Sequence, residues 1–304
     1  MDDQDRAYFY ALIAVFMWST VASAFKLTLD HLDFIQLLFY STLTSWIVLL
    51  IIILIQGKWT ELRKTGRKDF LRSAKLGFLN PFLYYLVLFK AYSLLPAQEA
   101  QPLNFTWPLI LALLSIPLLK QKITYLSIFA LFVSFSGVFI ISTQGDILGF
   151  NFTDPTGAFL AMGSGIIWAL FWIYNMRDPR DEVIKLFFNF LIGWILTIIP
   201  FLLYTDLSLP PLSGSLGSIY VGLFEMGITF VVWMRALKYS KTTSQVGNLI
   251  YASPFISLIF IHFFVGEEIL IPTVVGLVFI VSGIVIQQSS SRILENRASK
   301  LTTT

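Results

Sequence analysis

The sequence predicts an all-α polytopic membrane protein, with ten transmembrane helices arranged as two inverted five-helix repeats. Three observations carry that expectation: scarce charge, ten apolar runs of spanning length, and two halves that align. Of the 304 residues, 56% are hydrophobic and 13% are charged. Soluble domains carry about 25% charged residues, so a soluble enzyme, a disordered chain and a nucleic-acid binder are all excluded. With no cysteine, disulfides, thiol nucleophiles and Cys-based metal sites are excluded too. The start, Met-Asp-Asp-Gln-Asp, has neither a basic n-region nor a small-residue cleavage site. The first apolar run is therefore expected to stay as a membrane helix.

A spanning helix needs about 20 apolar residues, and ten segments meet that length. The first, 8–28, holds Trp18, and the second, 34–55, follows Asp33. The third, 74–94, contains Asn80-Pro81; the fourth, 97–118, opens after the Leu95-Pro96 turn and carries Pro102 and Pro108. The fifth, 124–143, contains Ser136-Gly137. In the sixth, 156–176, Gly157, Ala161, Gly165 and Ala169 recur every fourth residue, a stripe that allows close helix packing. The seventh, 183–204, follows Asp181; the eighth, 216–236, contains Glu225; the ninth, 243–264, contains Pro254; the tenth, 270–288, contains Ser282-Gly283.

Lys and Arg mark cytoplasmic segments. With both termini cytoplasmic, 19 of the 21 basic residues fall inside, and only Lys26 and Lys90 fall toward the outer side. The richest inner segment holds Lys58, Arg63, Lys64, Arg67, Lys68, Arg72 and Lys75. A miscounted helix would scramble this alternation. The expected location is the plasma (inner) membrane.

The halves align with small shifts in offset. Trp18 matches Trp168; Asp33 and Trp46 match Asp181 and Trp194; Gly77 and Lys90-Ala91 match Gly222 and Arg235-Ala236. Pro108 and Ser136-Gly137 match Pro254 and Ser282-Gly283. The expected division is residues 1–145, residues 146–290 and a cytoplasmic tail, 291–304. Five spans per half is an odd number, so the second half inserts upside down, and inverted repeats of this kind build alternating-access carriers.

Trp18 and Trp168, the run Arg235-Ala236-Leu237, the Pro254 helix, and Gly266-Glu267-Glu268 before Gly276 and Ser282-Gly283 resemble the drug/metabolite transporter superfamily, in its ten-helix form of two EamA-type repeats. The likeness covers about residues 8–288. It implies a solute carrier, often an exporter of amino acids, other metabolites or toxic compounds. It also implies a central cavity lined by the first, third and fourth helices of each half. The first half departs from the pattern, with Lys120-Gln121-Lys122 where the second has Gly266-Glu267-Glu268.

Ionisable groups within a membrane are default functional candidates because insertion costs at least about 2.5 kcal/mol each. Glu225 stands out, about ten residues into its span and so near the midplane, with Asn80 as its repeat equivalent. A carboxylate there binds a substrate amine or carries a proton; the alternative is a packing hydrogen bond to a neighbouring helix. Lys90 and Glu99 flank the Leu95-Pro96 turn at similar depth and are expected to pair at the outer mouth. Their equivalents Arg235 and Gln245 sit near the inner mouth, so the four form either charged gates or static contacts. Trp18, Trp168, Tyr84, Tyr85, Trp107 and Trp233 line an aromatic cavity or pack as core. Asn104 and Asn248 bind substrate or join helices. His262 has no ligand partner at metal spacing, so it is read as an interface hydrogen bond, and Glu267 and Glu268 are read as capping the last helix.

The leading function is therefore a carrier of a small organic solute in the lipid bilayer, exporting by resemblance. No Walker-type loop is present, so ATP does not drive it directly. No cofactor and no nucleic-acid partner is expected, and the sequence leaves oligomeric state open. The alternatives are a membrane scaffold or a lipid-carrier flippase subunit. An intramembrane enzyme would need a His-Glu-x-x-His pair or a Gly-x-Ser-x-Gly elbow, and neither is present.

Overall fold

A computed structural model describes residues 3–119, 125–146, 148, 153–240 and 248–302. The described chain is all helix and turn, with no strand. The first two spans are the unbroken helices Asp3–Leu29 and Phe34–Ile55. The third is composite: helix Arg67–Gly77, whose first turns belong to the preceding connection and whose end enters the span, a wide-turn segment Phe78–Leu83, then Tyr84–Leu94. The fourth is Ala97–Asn104 followed by Trp107–Leu119, and the fifth is Tyr125–Ser142. The sixth and seventh are the unbroken helices Pro155–Met176 and Glu182–Tyr204. Leu212–Phe224 and Ile228–Tyr239 form the eighth. The ninth runs over Asn248–Val265 through short 3-10, α and wide-turn pieces. The tenth is Ile271–Thr302, so the expected tail continues the last helix. Long apolar helices and shorter apolar ones together make an all-α polytopic membrane protein.

Helix starts repeat between the halves. Asp33 caps the second span, its carboxylate accepting from the Ile35 and Gln36 amides at 2.8 and 2.9 Å. Asp181 caps the seventh in the same way, accepting from Val183 and Ile184. Each cap satisfies amides that the first turn of a helix leaves open.

Packing repeats as well. The first span lies against the eighth and ninth, and the sixth lies against the third and fourth. The second packs on the seventh and on the start of the eighth; the seventh packs on the second and on the start of the third. Fifth and tenth pack together. Exchanging each span for the one five places on maps this pattern onto itself. Two pairs of repeat-equivalent residues also meet each other. The indoles of Trp46 and Trp194 stack at 5.8 Å with planes 3° apart, and Phe105 meets Tyr251 edge-on at 6.3 Å.

Close approach between spans is built from glycine. A side chain at Gly222 would meet the Ser41 carbonyl and Thr44. Gly137 and Gly276 each face the other's backbone carbonyl across the fifth and tenth spans. In the sixth span Gly157 seats Leu94 and Leu95, and Gly165 seats Ile110 and the backbone at Trp107. The small-residue stripe is thus a packing face.

Candidate substrate site around Glu225

The third and eighth spans break at equivalent positions. Asn80 takes a non-helical conformation (φ −147°, ψ 120°) ahead of Pro81, which has no amide hydrogen to continue the ladder. In the eighth span the helix stops at Phe224 and restarts at Ile228, leaving Glu225, Met226 and Gly227 between. The Thr229 hydroxyl spans this gap by donating to the Phe224 carbonyl, and the Trp18 indole N–H lies 3.5 Å from the Glu225 carbonyl. Broken helices are tolerated at membrane depth where protein groups meet the freed backbone.

Glu225 is only 8% exposed. The Tyr85 phenol donates to its Oε1 at 3.0 Å, tying the third span to the eighth. Around the carboxylate the rings form a continuous wall. Trp18 meets Phe230 edge-on at 5.9 Å, Phe230 lies 5.8 Å from Trp168, and Trp168 stacks on Tyr84 at 4.6 Å. Tyr84 in turn meets Tyr85 at 4.7 Å. Phe230 and Tyr85 occupy equivalent positions in the two halves, so one position supplies a ring on one side and a ring with a donor on the other.

Asn104 joins the same assembly at the end of the fourth span's first helix. Its side-chain nitrogen donates to Ser164 at 2.8 Å, and its oxygen accepts from Tyr84 at 3.4 Å. Ser19 and Ser253 link the first and ninth spans at 3.2 Å. Trp233 packs beside Trp18 at 5.5 Å. The wall is therefore drawn from the first, third, fourth, sixth and eighth spans.

Other expected residues lie elsewhere. Trp107 begins the fourth span's second helix and packs into the general core. Asn80 is completely buried, and neither atom of its amide has a partner. The next residue, Pro81, fills the space a Cβ would take at Gly193 of the seventh span. Arg235 is exposed in the second half of helix Ile228–Tyr239. Gln245 and the side chain of Asn248 lie outside the described residues, as do Gln121 and Lys122.

The expected Lys90–Glu99 pair does not form. Lys90 reaches over the Phe34 ring at 5.0 Å. Glu99, 1% exposed, accepts instead from Gln144 at 2.9 Å and Thr153 at 3.0 Å. The turn brings the two residues to similar depth but sends their side chains to different neighbours. Glu267 also differs from expectation. It caps the fourth span rather than the last, accepting from the Ala97 and Gln98 amides at 2.7 and 3.0 Å. Gln98 reciprocates, donating to the Glu268 carbonyl and accepting from Leu270. His262 contacts the Glu267 carbonyl at 3.0 Å.

Two stretches, residues 5–143 and 155–287, match the description of the EamA-like transporter family, covering most of the chain. The chain belongs to that family. An uncharacterized transporter of Clostridium kluyveri is 23% identical over 94% of this chain and 94% of its own length. An uncharacterized transporter of Acidianus ambivalens is 31% identical over 59% of this chain and 70% of its own. The aromatic amino acid exporter YddG of Ancylobacter novellus is 25% identical over 58% of this chain and 61% of its own. A solved crystal structure superimposes with a TM-score of 0.65 at 20% identity, covering 95% of this chain and 98% of that one. At that identity the likeness concerns the fold. Family and relatives are named as transporters, so this is a multi-pass membrane transporter with a small-molecule substrate.

Proposed function

We propose that the protein carries a small amine-bearing organic solute, of the amino-acid class, out across the plasma membrane by alternating access between two inverted repeats. The observation that carries this reading is the buried Glu225 carboxylate, held by Tyr85 inside a wall of Trp18, Phe230, Trp168 and Tyr84. An ammonium group matches the carboxylate, and a flat or apolar side chain matches the rings. That one relative is named an aromatic amino acid exporter agrees with this choice.

The stacking of Trp46 on Trp194 and the meeting of Phe105 with Tyr251 support two repeats, 1–145 and 146–290, related about an axis through the site. The two helix breaks, at Asn80 and Glu225, supply hinges on either side of it. In this reading the termini are cytoplasmic, and Glu225 binds the cargo amine or exchanges it for a proton. The protein performs no covalent chemistry on its cargo. Transport by purified protein in liposomes tests the reading: Glu225→Gln should abolish uptake while the protein stays folded. Full activity in that variant at every pH would refute the role of Glu225.

A further inference from the structure

We propose that the connection between the second and third spans is a binding surface for anionic phospholipid head groups. Residues 58–75 contain seven basic and two acidic side chains, a net charge of +5 that exceeds the +3 of the whole chain. They fold into two short helices, Trp59–Arg63 and Arg67–Gly77, the second of which leads into the third span.

Helix Arg67–Gly77 buries Ser73, Leu76 and Gly77 against the protein, where Ser73 is held by Arg180 at 2.9 Å. Its outward side mixes two kinds of residue. Lys68, Arg72 and Lys75 alternate there with Leu71, and Phe70 lies beside Arg67, all of them exposed. Trp59 on the preceding helix is exposed as well, with Arg63 over its ring at 5.1 Å. Cations interleaved with large apolar groups suit the boundary where head groups meet acyl chains; water alone would favour a purely polar face. Trp at such a boundary is the usual anchor.

The charges are also available. Lys58 is committed to Asp181, and Arg72 lies 3.8 Å from Asp69. Among the described residues, Lys64, Arg67, Lys68 and Lys75 have no carboxylate within ion-pair distance. A phosphodiester is the counter-charge a bilayer supplies at that depth, and a run of four or more such cations beside a span is the pattern that recruits acidic lipid. Helix Arg67–Gly77 continues into the break at Asn80, so lipid held there bears directly on one of the two hinges.

Purified full-length protein, delipidated in a neutral detergent, tests this by titration with phosphatidylglycerol or phosphatidylcholine. Binding is read from the emission of Trp59, taken as the difference from Trp59→Phe, and from lipid phosphate retained after washing. Phosphatidylglycerol should bind, weaken as salt rises, and lose about fivefold in affinity with each of Lys64→Gln, Arg67→Gln and Lys68→Gln. Phosphatidylcholine should bind poorly, and inorganic phosphate should fail to displace the lipid.

Equal binding of the two lipids, unchanged affinity in the single variants, or displacement by millimolar phosphate alone would overturn the proposal. Because the chain contains no cysteine, an introduced cysteine reports orientation in reconstituted vesicles without background. Single variants that lose lipid only when they also insert inverted would show that the cluster serves orientation, and would equally overturn it.

Discussion

Tyr85 donates its phenolic proton to the Glu225 carboxylate at 3.0 Å, across 140 residues of chain and between the third spans of the two halves. Hydrogen bonds to a charged group contribute about 1.5–3 kcal/mol. Tyr85→Phe keeps the ring that packs on Tyr84 and Phe89 but removes the donor. Both readouts should move: the unfolding temperature in detergent should fall, because a buried carboxylate loses its donor, and cargo affinity in proteoliposomes should change at least about tenfold. Wild-type affinity in that variant would mean that the phenol only packs.

Glu267 closes the N-terminus of helix Ala97–Asn104 from 170 residues away. Losing a side-chain cap costs about 1 kcal/mol. Glu267→Ala should therefore lower the unfolding temperature in detergent measurably, and Glu268→Ala, whose side chain is exposed, should not. Equal effects would assign the loss to the loop and not to the cap.

The all-α membrane architecture was legible because composition and the length of apolar runs report membrane burial directly. Equivalences such as Trp46 with Trp194 were legible too, since repeats preserve residue types at fixed offsets. Side-chain destinations were not. Lys90 and Glu99 have suitable charges and depth, yet helix rotation aims one at Phe34 and the other at Gln144 and Thr153. Glu225 could be singled out as a rare buried charge. Its donor could not, because Tyr85 is one of 12 tyrosines and only the packing of the third span on the eighth selects it. The role of Phe230 had a trace in sequence: it is the repeat equivalent of Tyr85.

Asp178 and Arg180 form a buried ion pair at 2.5 Å in the connection between the sixth and seventh spans. Burial opposes ionisation of Asp178, but the Arg180 hydrogen bonds and charge, aided by Lys185, outweigh it and hold the carboxyl below its usual value. A lowered folded-state pKa stabilises above the unfolded value, near 3.9, and that stability is lost as pH falls through the folded value. The unfolding temperature should thus be insensitive to this group near neutrality and fall below about pH 4. Asp178→Asn strands the Arg180 guanidinium and should cost about 3 kcal/mol at pH 7. The double variant Asp178→Asn/Arg180→Gln should cost less than the single one; additive losses would show that the two residues act separately.

Gly77 tests how tightly the third span is seated on the seventh. A Cβ there would run into the Asn189 backbone carbonyl and lie 3.2 Å from the Ile192 side chain. Backbone cannot move aside as the tip of a flexible side chain can, so Gly77→Ala must separate two helices just below the Asn80 break. Overpacking of this kind costs about 1–3 kcal/mol, and the shift should reach the site through the Asn80-Pro81 break that joins Gly77 to helix Tyr84–Leu94. Gly163 is the control, because nothing lies within 4 Å of a Cβ built on it. Gly163→Ala should leave unfolding temperature and transport within error of wild type, or stabilise slightly through higher helix propensity. Gly77→Ala should lower both. Equal behaviour of the two variants would show that the contact between the third and seventh spans is looser than its geometry implies.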